Sequence, residues 1–115
     1  MRRGDIVTVS LDPVRGSEAS KTRPAVVVSN DAANATATRL GRGVITVVPV
    51  TSNVARVYPF QVLLSARQTG LARDSKAQAE QVRSVAVERI GKRVGRLPAA
   101  VISELDQALR VHLAL

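Results

Sequence analysis

The sequence predicts a small, mainly β fold, in which a curled antiparallel sheet or barrel packs against one C-terminal helix. Short apolar runs rich in valine and isoleucine recur along the chain, which is typical of strands. Clusters of Gly, Pro, Ser and Asn separate these runs. A clear helical spacing of apolar residues occurs only near the C-terminus. With 115 residues, the chain is expected to form a single domain over residues 1–115.

At least five runs are predicted to be strands, namely residues 6–11, 24–29, 43–50, 57–64 and 82–87. In the first run, Val7, Val9 and Leu11 share one face. The second run is almost entirely apolar, so it is expected to be buried on both faces. The third is rich in β-branched residues, which favour strands.

Two segments between the strands carry loop signals. Residues 12–22 contain Pro, Gly and Ser without any periodicity, which predicts a loop of about eleven residues. A loop of this length in a small domain is a candidate functional loop. Residues 30–38 are predicted to form either a loop or one helical turn, which Asn30 and Asp31 would cap.

Pro98 is predicted to open the one clear helix, over residues 98–113, because proline is well accommodated in the first helical turn. One face of this helix is expected to carry Ile102, Leu105, Leu109 and His112, because these residues follow a 3-4-3 spacing. A sheet of this size leaves open edges, for which homodimerisation is a common remedy.

The chain carries a formal net charge of +8, from 17 Lys and Arg against 9 Asp and Glu. Such a balance favours polyanionic partners, either nucleic acid or an anionic membrane surface. An excess of arginine is also typical of GC-rich genomes. No apolar run reaches the roughly 18 residues of a membrane span, and a signal peptide is not expected, since the first strand pattern begins within the first six residues. Nucleic acid is therefore the expected partner and the cytoplasm the expected location, with no membrane contact.

The composition also excludes several kinds of site. Cysteine is absent and His112 is the only histidine, which excludes disulfides, thiolate metal sites and paired-histidine metal sites. Neither a metal ion nor a cofactor is expected. Tyr58 and Phe60 are the only aromatic residues, too few for the base-stacking platforms of many RNA-binding domains. Any RNA binding would therefore depend on arginines and hydroxyl groups.

The first of three polar clusters runs from Gly16, Ser17 and Glu18 to Arg23 and Pro24. Pro24 holds Arg23 in an extended conformation at the beginning of a strand. There the guanidinium is placed to bind a phosphate through two hydrogen bonds. Alternatively, Arg23 pairs with Glu18 and only fastens the loop.

The second cluster consists of Thr51, Ser52 and Asn53, which leave the end of a predicted strand. Their side chains could contact a ligand, but hydroxyls and amides in such a turn commonly bond to their own backbone. Both interpretations remain open from these residues alone.

The third cluster combines residues 73–75 with Gln81 and Arg83. Gln81, Arg83 and Val85 alternate onto one face of a predicted strand. Such a polar pair is either a ligand-binding feature or an ordinary exposed sheet face.

Taken together and in this order, the motifs are similar to those of a known family. The relevant segments are Arg3-Gly4-Asp5-Ile6-Val7, Gly16-Ser17-Glu18 followed after four residues by Arg23-Pro24, Val48-Pro49-Val50-Thr51-Ser52, and Gln81-Val82-Arg83-Ser84-Val85. The combination of Gly-x-Glu-x4-Arg-Pro with Pro-x-Thr-Ser is specific. On these motifs the chain resembles the MazF/PemK family of bacterial toxin endoribonucleases over nearly its whole length.

The resemblance implies an SH3-like barrel, of the kind that CcdB and PemK toxins share, which forms a homodimer. It implies cleavage of single-stranded RNA (mRNA, with rRNA or tRNA as further targets) through attack of the 2′-hydroxyl without a metal ion. Arg23 and Thr51 would be the catalytic pair, with Glu18 supporting them. The residues expected to contact RNA are Ser17, Lys21, Ser52, Asn53, Gln81 and Arg83. A cognate antitoxin would cover the RNA groove with a flexible acidic and hydrophobic tail.

The chain departs from some family members at two places. Ser17 stands where those members have a histidine, so an acid–base role for that histidine does not transfer. Gln78 and Glu80 stand where they have Arg and Asp. Two other functions remain as alternatives: a topoisomerase-poisoning toxin on the same fold without ribonuclease activity, and a non-catalytic basic RNA-binding barrel. A degenerate, inactive toxin is a further alternative.

Overall fold

The computed structural model describes residues 1–11 and 22–115, which form seven strands and three α-helices. The strands are β1 (Asp5–Ser10), β2 (Thr22–Val27), β3 (Val44–Thr51), β4 (Gln61–Leu64), β5 (Ser75–Gln78), β6 (Arg83–Ala86) and β7 (Ile90–Arg96). The helices are α1 (Asp31–Leu40), α2 (Ala66–Thr69) and α3 (Ala99–Leu113). Two 3₁₀ turns, Ala79–Gln81 and Val87–Arg89, flank β6.

The strands form one antiparallel sheet in the order β4-β5-β3-β2-β1-β7. One edge of β3 pairs with β2, and the other is divided, because its first half pairs with β6 and its last two residues pair with β5. The two end strands, β4 and β7, do not pair with each other in residues 1–11 and 22–115, so the sheet stays open there. The predicted mainly β fold with a C-terminal helix is confirmed, but as an open sheet that branches at β3.

Apolar side chains cover both faces of this sheet. The α3 face, which packs against Leu105 of α3, carries Ile6, Val26, Val48, Val50, Val62, Leu64 and Ala77. The α1 face, which packs against Ala37 of α1, carries Val7, Val9, Ala25, Val27, Ile45, Val47 and Val85. The expectations that β2 is buried on both faces and that Val7 and Val9 share one face are confirmed.

Helix α1 is longer than the single turn or loop expected for this segment. Asn30 caps it as predicted, since its side-chain oxygen accepts a hydrogen bond from the Ala33 amide at 2.8 Å. Gly41 ends the helix in a left-handed conformation with φ of 65°. Alanine favours helix, and burial of Asn34 and Ala37 adds tertiary packing, so about three turns form.

The expected strand over residues 57–64 is confirmed only in its second half, at β4. Pro59 has no amide to donate, and a turn in which the Gln61 amide donates to the Tyr58 carbonyl precedes the strand. β5 and β7 were not predicted, because neither shows apolar alternation in the sequence.

At the C-terminus, Pro98 occupies the N-cap position, one residue before the first turn of α3. Leu105 is buried with Val101 and Ala108, whereas His112 is exposed in the last turn. The buried face of α3 therefore ends before its last turn. None of the helices in the described residues is long and apolar enough to cross a membrane.

Arg3 connects both helices to the sheet. Its backbone amide donates to an Asp31 carboxylate oxygen at the start of α1 at 2.7 Å. Its guanidinium donates to the Val28 carbonyl at 2.8 Å and forms an ion pair with Asp106 of α3 at 2.7 Å. Gly4, with φ of 95°, turns the chain into β1 immediately afterwards. The N-terminal segment therefore fixes the two helices relative to the sheet.

Asp5 is buried beside this segment. One carboxylate oxygen accepts from the Arg96 guanidinium at 2.7 Å, and the other accepts from the Arg2 amide at 2.8 Å. Burial alone raises the pKa of Asp5, but these hydrogen bonds and the charges of Arg96 and Arg93 outweigh burial. The pKa of Asp5 therefore lies below its ordinary value of 3.8.

We expect Gly4→Ala to lower the free energy of unfolding by about 2–4 kcal/mol, because it adds steric overlap to the left-handed penalty. A Cβ at Gly4 would lie 2.6 Å from Ile102 Cδ1. The matched control is Gly41→Ala, which also places alanine at a left-handed position, with φ of 65°, but has no heavy atom within 4 Å of the new Cβ. Its cost should be only about 1–2 kcal/mol. Urea unfolding measures both, and equal losses would contradict the role of Ile102.

We expect Asp5→Asn to lower the free energy of unfolding at neutral pH by about 2 kcal/mol, since it removes a charged hydrogen-bond acceptor. Because the folded-state pKa of Asp5 is depressed, its stabilising contribution is complete above the ordinary value and is lost as pH falls through the folded-state pKa. The difference between wild type and variant should therefore shrink below about pH 3.8. Urea unfolding at neutral pH and at about pH 3 measures this. The same difference at both pH values would argue against it.

Candidate functional site

Arg23 and Thr51 lie at adjacent ends of neighbouring strands. Arg23 is the exposed second residue of β2, and Thr51 is the half-buried last residue of β3. The last backbone pair of these strands is Ala25 with Pro49, so the same register continued by two residues places Arg23 opposite Thr51. Opposed residues of an antiparallel pair project to the same face, with Cβ atoms about 5 Å apart. The fold thus brings these two residues together on the α1 face.

Lys76, a residue the sequence did not single out, lies on the other side of Thr51. The ladder pairs Thr51 directly with Lys76 of β5, so both project to the α1 face. Lys76 is only 8% exposed, and its Nζ donates to the Arg56 carbonyl at 2.6 Å. Two cationic residues, Arg23 and Lys76, therefore lie on the strands on either side of Thr51. Prediction of β5 as a strand would have been needed to find Lys76.

The segment between β3 and β4 packs around Tyr58. The Tyr58 and Phe60 rings stack with centroids 5.3 Å apart. The Arg56 guanidinium lies 5.6 Å from the Tyr58 centroid and donates to its hydroxyl at 3.2 Å, while Lys76 Nζ lies 6.0 Å from the same centroid. The two aromatic rings thus stack on each other, and the Tyr58 ring also lies beside two cations.

A hydrogen-bond chain joins this segment to the turn before β6. The buried Gln61 side chain accepts from the Tyr58 amide at 3.1 Å and donates to Glu80 Oε2 at 2.6 Å. The other carboxylate oxygen of Glu80 is buried and has no hydrogen-bond partner among the described residues. Since Gln81 belongs to the same 3₁₀ turn as Glu80, its backbone is held against the Tyr58 segment.

The remaining residues that were predicted to contact RNA lie at or near the α1 face. Arg83 begins β6 opposite Val47, and Val85 lies opposite Ile45, so both project to the α1 face as expected. Gln81 is exposed in the turn before the strand, so it is not part of the alternation predicted for it.

Ser52 and Asn53 are exposed just beyond β3. The Asn53 amide donates to Thr51 Oγ1 at 3.3 Å, and the Ala55 amide donates to Asn53 Oδ1 at 3.3 Å. The expected local backbone bonding is therefore present. It uses the Thr51 hydroxyl only as an acceptor, which leaves its proton available to a ligand.

Three residues of the predicted site, Ser17, Glu18 and Lys21, lie outside the described residues. The alternative ion pair of Arg23 with Glu18 lies outside them as well. Among residues 1–11 and 22–115, Arg23 forms no ion pair and its guanidinium makes no hydrogen bond.

A groove of about 440 Å³ runs beneath the ends of β2 and β3. Its lining includes Arg23, Thr51, Ser52 and Arg73. Most of its other residues belong to the α3 face, so the groove borders Arg23 and Thr51 from the side of the sheet opposite the α1 face. A larger cavity of about 850 Å³ lies elsewhere on the α1 face, near the end of α1, and contains none of the predicted site residues.

The chemistry of the site is that of cations and hydroxyls. In the part of the chain that the structure describes, no group of three or more His, Cys, Asp or Glu is placed to hold a metal ion. A guanidinium beside a hydroxyl whose proton is available can bind the non-bridging oxygens of a phosphate. The arrangement therefore suits stabilisation of an anionic phosphoryl group.

Comparisons with known proteins identify the family of this chain. The family model described as "PemK-like, MazF-like toxin of type II toxin-antitoxin system" matches residues 2–113. The chain is 70% identical to the endoribonuclease MazF9 of Mycobacterium tuberculosis over 115 residues, covering 100% of this chain and 98% of the relative. It is 32% identical to the endoribonuclease EndoA of Bacillus subtilis over 116 residues, covering 100% and 96%.

Among solved structures, the MazE–MazF complex (Form-II) of Deinococcus radiodurans superposes with a TM-score of 0.79 at 30% identity. The match covers 100% of this chain and 96% of that chain. The chain therefore belongs to the PemK-like, MazF-like family of toxins of type II toxin–antitoxin systems.

Proposed function

We propose that this protein is the toxin of a type II toxin–antitoxin system and acts as a metal-independent, sequence-specific endoribonuclease on single-stranded RNA, inhibiting translation and growth. The observation that carries the proposal is that Arg23 and Thr51 line the same groove. The β2–β3 register, continued by two residues beyond Ala25 and Pro49, brings them opposite each other on one sheet face. The names of the relatives support the activity, since both MazF9 and EndoA are endoribonucleases.

In the proposed reaction, the 2′-oxygen attacks the adjacent phosphorus and the bond from phosphorus to the 5′-oxygen breaks. The 2′-hydroxyl loses a proton, and the leaving 5′-oxygen gains one. Arg23 binds two phosphoryl oxygens and stabilises the charge of the pentacoordinate phosphate. The Thr51 hydroxyl donates its proton in a hydrogen bond to the phosphate. Glu18 supports this pair, on the basis of the family resemblance.

RNA recognition is assigned to side chains around the same face. Arg83 approaches it from β6 and Gln81 from the turn before that strand, while Ser52 and Asn53 follow the end of β3. Ser17 and Lys21 are included on the family pattern alone. Because these side chains present amides, hydroxyls and a guanidinium, they can hydrogen-bond to the edges of unstacked bases.

An antitoxin is the expected protein partner, since the family is one of toxin–antitoxin systems and the solved relative is a MazE–MazF complex. We propose that an acidic and hydrophobic tail of the antitoxin covers the RNA groove. We also propose a homodimer, which the open edges at β4 and β7 and the exposed Leu63, Val111 and Leu113 favour.

The other two candidate functions are less well supported. A topoisomerase-poisoning toxin has no need of a guanidinium and a hydroxyl opposed on one face, and an RNA-binding barrel does not require the family motifs. Both of the named relatives above are endoribonucleases.

We expect Arg23→Ala to reduce the rate of RNA cleavage by about 10²–10³ or more, because loss of one preorganised partner of the transition-state charge has this effect. The measurement uses purified protein, a long single-stranded RNA of mixed sequence and excess EDTA, with cut ends mapped. Arg42→Ala, an exposed arginine in the turn after α1, is the matched control and should cut at the wild-type rate. A loss of less than tenfold for Arg23→Ala would overturn the assignment.

We expect a single 2′-deoxyribose at the mapped cut to abolish cleavage there, since the attacking hydroxyl is missing. The same oligonucleotide with the deoxyribose placed three nucleotides away should be cut normally. Gel or mass analysis of the products distinguishes the two. Continued cutting at the deoxy position would exclude attack by the 2′-hydroxyl.

A further inference from the structure

Lys76 is a nearly buried cation that the proposed mechanism does not use. It is 8% exposed and forms no ion pair with any residue in the described ranges 1–11 and 22–115. Lysine is rarely buried without a charged partner, because an isolated ammonium is poorly solvated inside a protein. A native fold that keeps one here points to an anion supplied from outside the described residues.

The Lys76 ammonium is held in place, but not all of its hydrogen-bond donors are used. Nζ donates to the Arg56 carbonyl at 2.6 Å, and it lies 6.0 Å from the centre of the Tyr58 ring. A lysine ammonium has three donors, and no second hydrogen bond to a described residue accompanies this one. Its position is therefore fixed by the neighbouring segment, while part of its donor capacity remains free.

The position of Lys76 beside Thr51 indicates which anion it binds. It is directly paired with Thr51 across β3 and β5, and Arg23 lies on the opposite side of Thr51 by the β2–β3 register. The three side chains project to the α1 face from three adjacent strands. An RNA strand that has its scissile phosphate at Arg23 and Thr51 and crosses β3 toward β5 brings a neighbouring phosphate to Lys76.

We propose that Lys76 is a phosphate-binding residue for the RNA substrate and holds a backbone phosphate next to the one that is cut. This inference rests on the proposed function, since it assumes that single-stranded RNA occupies the face containing Arg23 and Thr51. In the free protein, the Arg56 carbonyl and the Tyr58 ring keep the ammonium in position for that phosphate.

The test is binding of an uncleavable RNA, a single-stranded oligonucleotide with one 2′-deoxyribose at the mapped cut, at several salt concentrations. Lys76→Gln removes the charge but retains a donor for the Arg56 carbonyl. We expect about tenfold weaker binding and a slope of log affinity against log salt concentration reduced by about 0.7, the value for one phosphate contact on a single strand. Lys76→Arg should retain the wild-type slope.

The matched control is Lys92→Gln, which removes the same charge from an exposed position on β7 and should leave the slope unchanged. Thermal unfolding by circular dichroism verifies that each variant is folded, and Lys76→Met is the second neutral variant if the glutamine variant does not fold. A folded neutral variant with the wild-type slope overturns the proposal, even if its stability is lower. That result would assign Lys76 only to fastening the Arg56 segment.

The same series separates this inference from the proposed function. Wild-type protein is incubated in parallel with the cleavable RNA. If it cuts that RNA while the neutral Lys76 variants keep the wild-type slope, the inference fails and the ribonuclease function stands. If wild type neither cuts nor binds RNA, both fail.

Discussion

The pairing of β3 is the constraint on which the site depends. Its two edges are occupied by β2 on one side and by β5 and β6 in succession on the other. Arg23, Lys76 and Arg83 consequently reach the same face as Thr51 from three different strands. A shift of one residue in any of these ladders would turn the corresponding side chain to the opposite face. The apolar residues buried on both faces of β2 and β3 hold the register, because such a shift would not preserve both cores.

The N-terminal segment fixes the layers around this sheet. Arg3 reaches Asp31 of α1 and Asp106 of α3, while Asp5 holds Arg96 at the end of β7. Gly4 permits Arg3 and Asp5 to make these contacts at the same time, since it adopts φ of 95° and approaches Ile102 closely. The Arg3-Gly4-Asp5 motif therefore has a structural explanation that is independent of catalysis, and its position near the family's other motifs does not make it part of the site.

Sequence patterns were sufficient for the elements that bury apolar side chains. β1, β2, β3 and α3 follow from strand-like apolar runs or helical spacing. β5 and β7 could not be predicted in this way, since β5 contains Lys76 and β7 contains several charged residues and glycines. The proximity of Arg23 and Thr51 was expected only from motif resemblance. The role of Lys76 could not be expected, because its position beside Thr51 depends on a ladder between residues 25 positions apart.

Buried polar groups with unused bonding capacity are concentrated near this face. Lys76 has no charged partner among the described residues, and one Glu80 oxygen has no hydrogen-bond partner. Each such group costs folding free energy, which a protein selected only for stability would avoid. A polyanionic ligand changes this balance, because each phosphate neutralises a cation that is already in position and releases counterions from the RNA. In the proposed function, the net charge of +8 attracts RNA over a long range, and the cations on the strands beside Thr51 position the phosphate.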